Sequence, residues 1–209
     1  MKGILFKPSM FKATIDGTKT ETRRTISKTD LSENINEKWA RDFMAQAHAR
    51  YKVDDIVYLK EPYVMIRKYP LAIEEPNKSM MEPEYKYDKQ PLVQKIIPWE
   101  NKLFMPAKYA RYFIKITEVK VERLQEITEE GAIAEGIEYD GNGHSYMCYS
   151  GKTCCFETAI ESYADLWDFI NVKCAKKNKA VPWESNPWVW VYKYRLLDPE
   201  ETQNTLRLI

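Results

Sequence analysis

The sequence predicts an α+β fold, on three observations. A short apolar run, GILF at 3–6, opens the chain, and a β-branched and aromatic run, NPWVWVYKYRLL at 186–197, lies near its end, both suited to strands. Between them, EKWARDFMAQAHARY at 37–51 and FETAIESYADLWDFI at 156–170 space their apolar residues at helical intervals. Strands at both ends with helices between imply termini that share one sheet or barrel, and disfavour a parallel doubly wound sheet. Strands near 3–6, 54–60, 110–122 and 187–196 are expected to build a closed or nearly closed barrel, which leaves no edge for the aromatic last strand to aggregate through.

The elements follow in order. MFKATIDG at 10–17 reads as one or two helical turns closed by Gly17. In the 37–51 helix, Trp39, Phe43, Ala47 and Tyr51 fall four apart as an amphipathic face, with Asn36 as the cap. DDIVYLKEPY at 54–63 reads as a strand. Residues 64–104 carry Pro70, Pro76, Pro83, Pro91 and Pro98 amid charges with little periodicity, which marks an insertion or lid. In YFIKITEVKVERL at 112–124 the alternation of Tyr112, Ile114 and Ile116 changes phase at Val119 and Val121, a sign of a bulge or turn. ITEEGAIAEGI at 127–137 is a short helix with Thr128 as N-cap, Glu129 and Glu130 in its first turn, and Gly136 just past its end. After a Gly/Cys loop at 140–155, Phe156, Ile160, Tyr163, Trp167 and Ile170 share a helix face. A single domain over 1–197 and a frayed tail over 198–209 complete the reading.

Composition excludes several classes. Of 209 residues, 44% are hydrophobic and 13% aromatic, which supports a folded core rather than a disordered chain. No apolar run approaches the roughly 18 residues of a membrane span, and the opening MKGILFKPSM is too short for a signal-peptide core, so the expected location is the cytoplasm. The cysteines, Cys148, Cys154, Cys155 and Cys174, do not suit a disulfide framework in a chain this long. With His144 they lack the C-x2-4-C pair of compact zinc sites, so no metal is expected. Net charge is +1, yet residues 1–28 hold Lys2, Lys7, Lys12, Lys19, Arg23, Arg24 and Lys28 against only Asp16 and Glu21. The charge is therefore local, not a polyanion-binding field over the whole molecule.

That basic patch centres on DGTKTETRR at 16–24. No glycine stands where a P-loop requires one before Gly17, so the phosphate-loop reading fails. Lys19 and Thr22, three apart, can form a nucleophile and its base if burial or neighbouring cations such as Arg23 and Arg24 destabilise the ammonium. A solvated basic turn is the plainer alternative. Glu135, in the last turn of its helix where the dipole opposes a negative charge, suits a general acid, although glutamates at exposed helix ends are ordinary.

ILFKPSMFKATIDGTKTETRR resembles the start of ASCH domain proteins, a superfamily with the PUA-like β-barrel fold, and in particular its phage- or prophage-encoded branch. The resemblance continues, in order and over most of the chain, at YKVDDIVYLKEPY, FMPAKYARYFIKITEVKVERLQEITEEGAIAEGI, YADLWDFIN and NPWVWVYKYRLL. The G-D pair usual after the helix is Asp54-Asp55 here, and a tryptophan usual after the M-P step is Tyr109. A small bacterial ASCH enzyme hydrolyses N4-acetylcytidine to cytidine and acetate with a lysine, a threonine three residues later and a glutamate in the helix after the central strands. The resemblance places these at Lys19, Thr22 and Glu135, with Thr22 as nucleophile, Lys19 as its base and Glu135 protonating the leaving amine. It implies nucleoside or RNA contacts from Thr20, Arg23 and Arg24, with no cofactor, and catalysis requires Lys19 to be poorly solvated and free of an ion pair with Glu135. That enzyme is shorter and lacks the insertion, and other members bind RNA, cleave single-stranded RNA or read modified bases. A non-catalytic RNA-binding or base-reading module, or a ribonuclease, is the alternative.

Overall fold

The computed structural model describes residues 1–27, 35–68, 80–89, 97–139, 145–150, 156–173 and 180–209. It is a mixed α/β structure. In chain order the elements are β1 (Lys2–Leu5), α1 (Pro8–Ile15), β2 (Glu21–Thr25), α2 (Lys38–Ala47), β3 (Ile56–Lys60), β4 (Tyr63–Lys68), β5 (Met80–Tyr85), β6 (Phe113–Arg123), α3 (Glu129–Ala134), α4 (Ala159–Asp168), β7 (Trp188–Leu196) and α5 (Pro199–Arg207). Five strands form one sheet in the order β1-β3-β6-β7-β2, and β4 and β5 form a second. The four strands expected from the sequence are all present.

The expected closed barrel is not. Strands β1 and β2 are the two edges of the sheet and do not pair with each other. Closure needs each strand to find a partner on both sides, whereas the outer edge of β2 is occupied by side chains, as the next subsection describes.

The chain falls into two compact units, Met1–Phe11 with Ile56–Ile114 and Leu197–Ile209, and Lys12–Asp55 with Lys115–Leu196. In the first, β1 runs parallel to β3 with Ile4 opposite Leu59. Tyr58, Met105, Ala110, Phe113 and Leu197 form its core. The insertion carries more regular structure than its prolines suggest: β4 and β5 pair antiparallel with Pro83 opposite Met65. A two-stranded sheet leaves each strand an open edge, where a missing N–H is harmless. Arg111 grips the insertion by donating to both oxygens of buried Glu61 at 2.8 Å and to Asp88, with its guanidinium 4.1 Å from the Tyr85 ring centroid. Residues 69–79 and 90–96 of the insertion, including Pro70, Pro76 and Pro91, lie outside the described residues.

The tail expected to fray is helical instead. Asp198 caps α5 by accepting from the Glu201 N–H at 2.8 Å, Glu201 reaches back to the Asp198 N–H, and Pro199 occupies the first helical turn. These are strong start signals, and Leu206 packs against the core of this unit.

In the second unit, β2 lies antiparallel to β7, pairing Thr22 with Tyr192 and Arg23 with Val191. Strand β6 is continuous from Phe113 to Arg123, and a bulge lies opposite it, where Asp54, at φ +69°, donates its N–H to the Ile116 carbonyl at 2.9 Å and the Ile116 N–H donates to the Asp55 carbonyl at 3.0 Å. The phase of β6 changes because Thr117 and Lys120 are exposed between buried Ile116 and Val121, so the strand leaves the core and returns on the other parity. Thr128 caps α3 by accepting from the Gly131 N–H, and Gly136 follows its end with φ +88°, as expected. Helix α4 buries Tyr163 and Trp167 together with Ala159, Ser162 and Leu166.

Helix α2 reverses its expected orientation. Trp39 and Phe43 are 62% and 58% exposed, while Ala40, Met44 and Ala45 are buried. Small alanines beside a single methionine let the helix backbone approach the core closely, which the bulkier aromatic stripe would prevent. Glu37, not Asn36, occupies the cap position, and its side chain makes no capping bond. Trp39→Ala and Phe43→Ala are therefore expected to change unfolding free energy by less than about 0.5 kcal/mol each. Met44→Ala should cost about 2–5 kcal/mol in the same urea titration. No helix among the described residues is long and apolar enough to cross a membrane.

Candidate functional site

The candidate site is assembled where three segments of the second unit meet: the turn after α1, the edge strand β2 and Glu135, the residue just past the end of α3. Gly17 leaves α1 in the left-handed region at φ +79°, and the chain turns back so that the Lys19 N–H donates to the Ala13 carbonyl at 2.9 Å. The Lys19 side chain then runs along Gly136. A Cβ at Gly136 would lie 3.1 Å from the Lys19 Cβ and 3.3 Å from the Ala13 Cβ. Glycine is thus required here twice, for its φ and for the lysine's passage. Gly136→Ala is expected to cost about 1–2 kcal/mol from backbone conformation alone. It should also displace Lys19, which thermal unfolding paired with an activity assay would register as a loss of function exceeding the loss of stability.

Lys19 is 2% exposed and Glu135 4%. Its ammonium donates to the Glu135 Oε2 at 2.5 Å, to the Glu135 backbone carbonyl at 2.7 Å and to the Glu21 carbonyl at 2.8 Å. Glu135 Oε1 accepts the Arg23 backbone N–H at 2.5 Å, and also the Tyr163 hydroxyl at 3.3 Å and the Arg23 Nη1 at 3.4 Å. Burial pushes the Lys19 ammonium below the ordinary lysine value; Glu135 opposes this, while Arg24 and Arg23 add to it.

These contacts complete the sheet edge. Thr20 accepts from the Tyr194 N–H and Ile26 donates to Trp188, so the backbone groups of even-numbered residues in β2 face β7, and those of Glu21 and Arg23 face outward. Lys19 supplies the donor for the outward Glu21 carbonyl, and Glu135 the acceptor for the outward Arg23 N–H. The pair stands where a further strand would lie, which caps the edge. It also straddles Thr22, because its two backbone contacts fall on the peptide groups either side of that residue.

Thr22 is 4% exposed, and its hydroxyl makes no hydrogen bond among the described residues. Arg23 is buried and committed to carboxylates. Its Nε and Nη2 donate to Glu122 Oε1 at 3.1 and 2.9 Å, and its Nη1 to Glu21 Oε2 at 3.3 Å as well as to Glu135. Burial works against its charge, but Glu135, Tyr163, Glu122 and Glu21 together hold its pKa above the ordinary value. Arg23 therefore orients Glu135 and does not present itself to a phosphate. Arg24, on the opposite face of the strand, is exposed, as is Thr20, whose N–H donates to the Ala134 carbonyl at 2.8 Å.

Lys19, Glu135 and Arg23 are in direct contact and Thr22 lies between their anchoring points, whereas Thr20 and Arg24 sit at the solvent side. The expectation that Lys19 stands clear of an ion pair with Glu135 is corrected: the two are bonded at 2.5 Å. Sequence reasoning missed Glu21, Glu122 and Tyr163. Glu21 was visible inside DGTKTETRR as the acid beside the basic residues; Glu122 and Tyr163 carry no local signal. The expectations for His144, Cys154, Cys155 and Cys174 lie outside the described residues. Among those described, no three His, Cys, Asp or Glu side chains are grouped to hold a metal ion. Comparison of the chain with known protein families, with curated proteins and with solved structures gives no match.

Proposed function

We propose that this chain is a nucleoside- or RNA-directed ASCH protein of PUA-like fold, acting in the cytoplasm as an amidohydrolase that removes an acyl group from a modified nucleoside such as N4-acetylcytidine. The observation that carries the reading is the buried Lys19–Glu135 pair straddling the unbonded hydroxyl of Thr22. The sequence resemblance assigns the same three residues to this chemistry.

The ion pair does not defeat the mechanism. At 2.5 Å in a site nearly closed to water, Lys19 Nζ lies in position to pass a proton directly to Glu135 Oε2. That transfer to Glu135 leaves a neutral amine and a carboxylic acid, the forms required of base and acid. Thr22 Oγ1 then attacks the acyl carbonyl as its proton passes to Lys19; the C–N bond breaks and the leaving amine takes the proton from Glu135. Water next attacks the acyl-threonine ester, which releases the carboxylic acid and restores the Thr22 hydroxyl. The second reading, an RNA-binding or base-reading module without turnover, is favoured by one observation: three acceptors around Lys19 Nζ hold an ammonium well.

Incubation with N4-acetylcytidine followed by assay of acetate and cytidine tests the first reading. Thr22→Val should abolish turnover while unfolding free energy stays within about 0.5 kcal/mol, since no hydrogen bond is lost, and Thr22→Ser should retain part of the rate. If wild-type protein releases no acetate but binds RNA with a salt dependence that Arg24→Ala weakens, the binding module replaces the enzyme.

A further inference from the structure

Helix α4 supplies a residue to which the resemblance, although it covers YADLWDFIN, assigns no role. Glu129, at the start of α3, accepts the Ala159 N–H at 2.8 Å and the Ile160 N–H at 3.4 Å, so a carboxylate on one helix caps the first turn of the other. This fixes the register of α4 against α3. One turn into α4, Tyr163 then reaches Glu135, six residues beyond Glu129 and just past the end of α3. The Tyr163 ring is 3% exposed and is held between Trp167 and Trp183, with centroids at 6.3 and 6.1 Å. Its hydroxyl donates to Glu135 Oε1, the oxygen turned away from Lys19.

We propose that Tyr163 is a positioning residue of the site: its buried hydroxyl fixes the Glu135 carboxylate so that Oε2 faces Lys19. A fixed donor on Oε1 draws carboxylate charge away from Oε2, so its removal leaves Glu135 to hold the Lys19 ammonium more tightly. Arg23 acts on the same oxygen from β2. Among the described residues, the charged or titratable groups around the pair include Glu21 and Arg24 on β2, Glu122 on β6 and Tyr194 on β7. Tyr163 remains a neutral donor throughout, because burial, with Glu135 adding to it, pushes its phenol well above the ordinary tyrosine value.

The inference rests on the amide-hydrolysis reading for its kinetic arm alone. Tyr163→Phe keeps the ring and removes the hydroxyl. It is expected to lower kcat on N4-acetylcytidine about tenfold with KM unchanged. In substrate-free protein with nitrogen-15 in its lysine side chains, NMR should show Lys19 Nζ titrating at higher pH in the variant. Glu129→Ala, which loosens α4, should move both quantities the same way and serves if Tyr163→Phe does not fold. Should wild-type protein hydrolyse no amide, the function falls, and a shifted Lys19 titration still supports the positioning role. An unshifted titration overturns the role, even where Tyr163→Phe lowers thermal stability, since a merely structural tyrosine would do that and no more.

Discussion

Glu135→Ala is expected to destabilise the protein by about 3–5 kcal/mol, the range for removing one partner of a buried ion pair, and to eliminate amide hydrolysis. Loss of the carboxylate takes from Lys19 its bonded partner Glu135, removes the acceptor of the outward N–H of Arg23, and takes from Arg23 one of its three carboxylates. The Tyr163 hydroxyl loses its acceptor in the same stroke. Chemical denaturation reads the stability change. Glu135→Gln should recover part of it, because the amide oxygen can still accept from the Arg23 N–H, and should recover none of the activity, because an amide cannot carry the proton. If Glu135→Ala unfolds at the wild-type midpoint, the pair is not the keystone of the β2 edge.

Lys19→Met is expected to lower the rate by about 10²–10⁴-fold, the usual contribution of a general base, with a smaller loss of stability than Glu135→Ala. Arg23 and Tyr163 still hold the carboxylate, and methionine fills the channel beside Gly136. The pH dependence has a definite sign. The folded value of Lys19 lies below the 10.5 of an ordinary lysine, because burial outweighs the pull of Glu135. Between those two values the unfolded chain binds the extra proton, so stability rises with pH across that window and the cost of burying the ammonium fades. Lys19→Met lacks this term. The unfolding free energy of wild type minus that of the variant should therefore increase from neutral pH towards 10.5, while the buried phenols of Tyr163 and Tyr194 act in both proteins and cancel. A difference that stays flat, or that falls, would show Lys19 titrating as it does in the unfolded chain.

Local chemistry was legible where one side chain decides local geometry. Thr128 and Gly136 bracket α3 because a hydroxyl cap and a left-handed glycine each act within one turn, and Gly17 ends α1 for the same reason. Asp198 and Glu201 carry an equally local signal for α5. The orientation of α2 was not legible in this way. Trp39 and Phe43 at i and i+4 look like a core stripe, and Ala40 with Met44 forms a competing one with the same period; only the tertiary surroundings choose between them. Barrel closure was hidden for a related reason. Whether β2 finds another strand or the side chains of Lys19 and Glu135 depends on residues 116 positions apart.

The site divides along the same line. Lys19, Thr22 and Arg23 belong to one short motif and Glu135 to a capped helix end, so their chemistry could be argued from sequence. That Arg23 faces three carboxylates and Arg24 faces solvent follows from strand alternation once β2 is known to be a strand. Tyr163 was visible as a core aromatic on α4. Its hydroxyl's acceptor was not, because that contact requires the register set by Glu129.

The most direct test of the account is acetate release from N4-acetylcytidine by wild-type protein and by Lys19→Met, measured side by side under single-turnover conditions with folding verified for both. The account predicts acetate and cytidine in equal amounts from wild type and a rate lower by at least about 10²-fold from the variant. Absence of acetate from wild type, or equal rates from the two proteins, would contradict it.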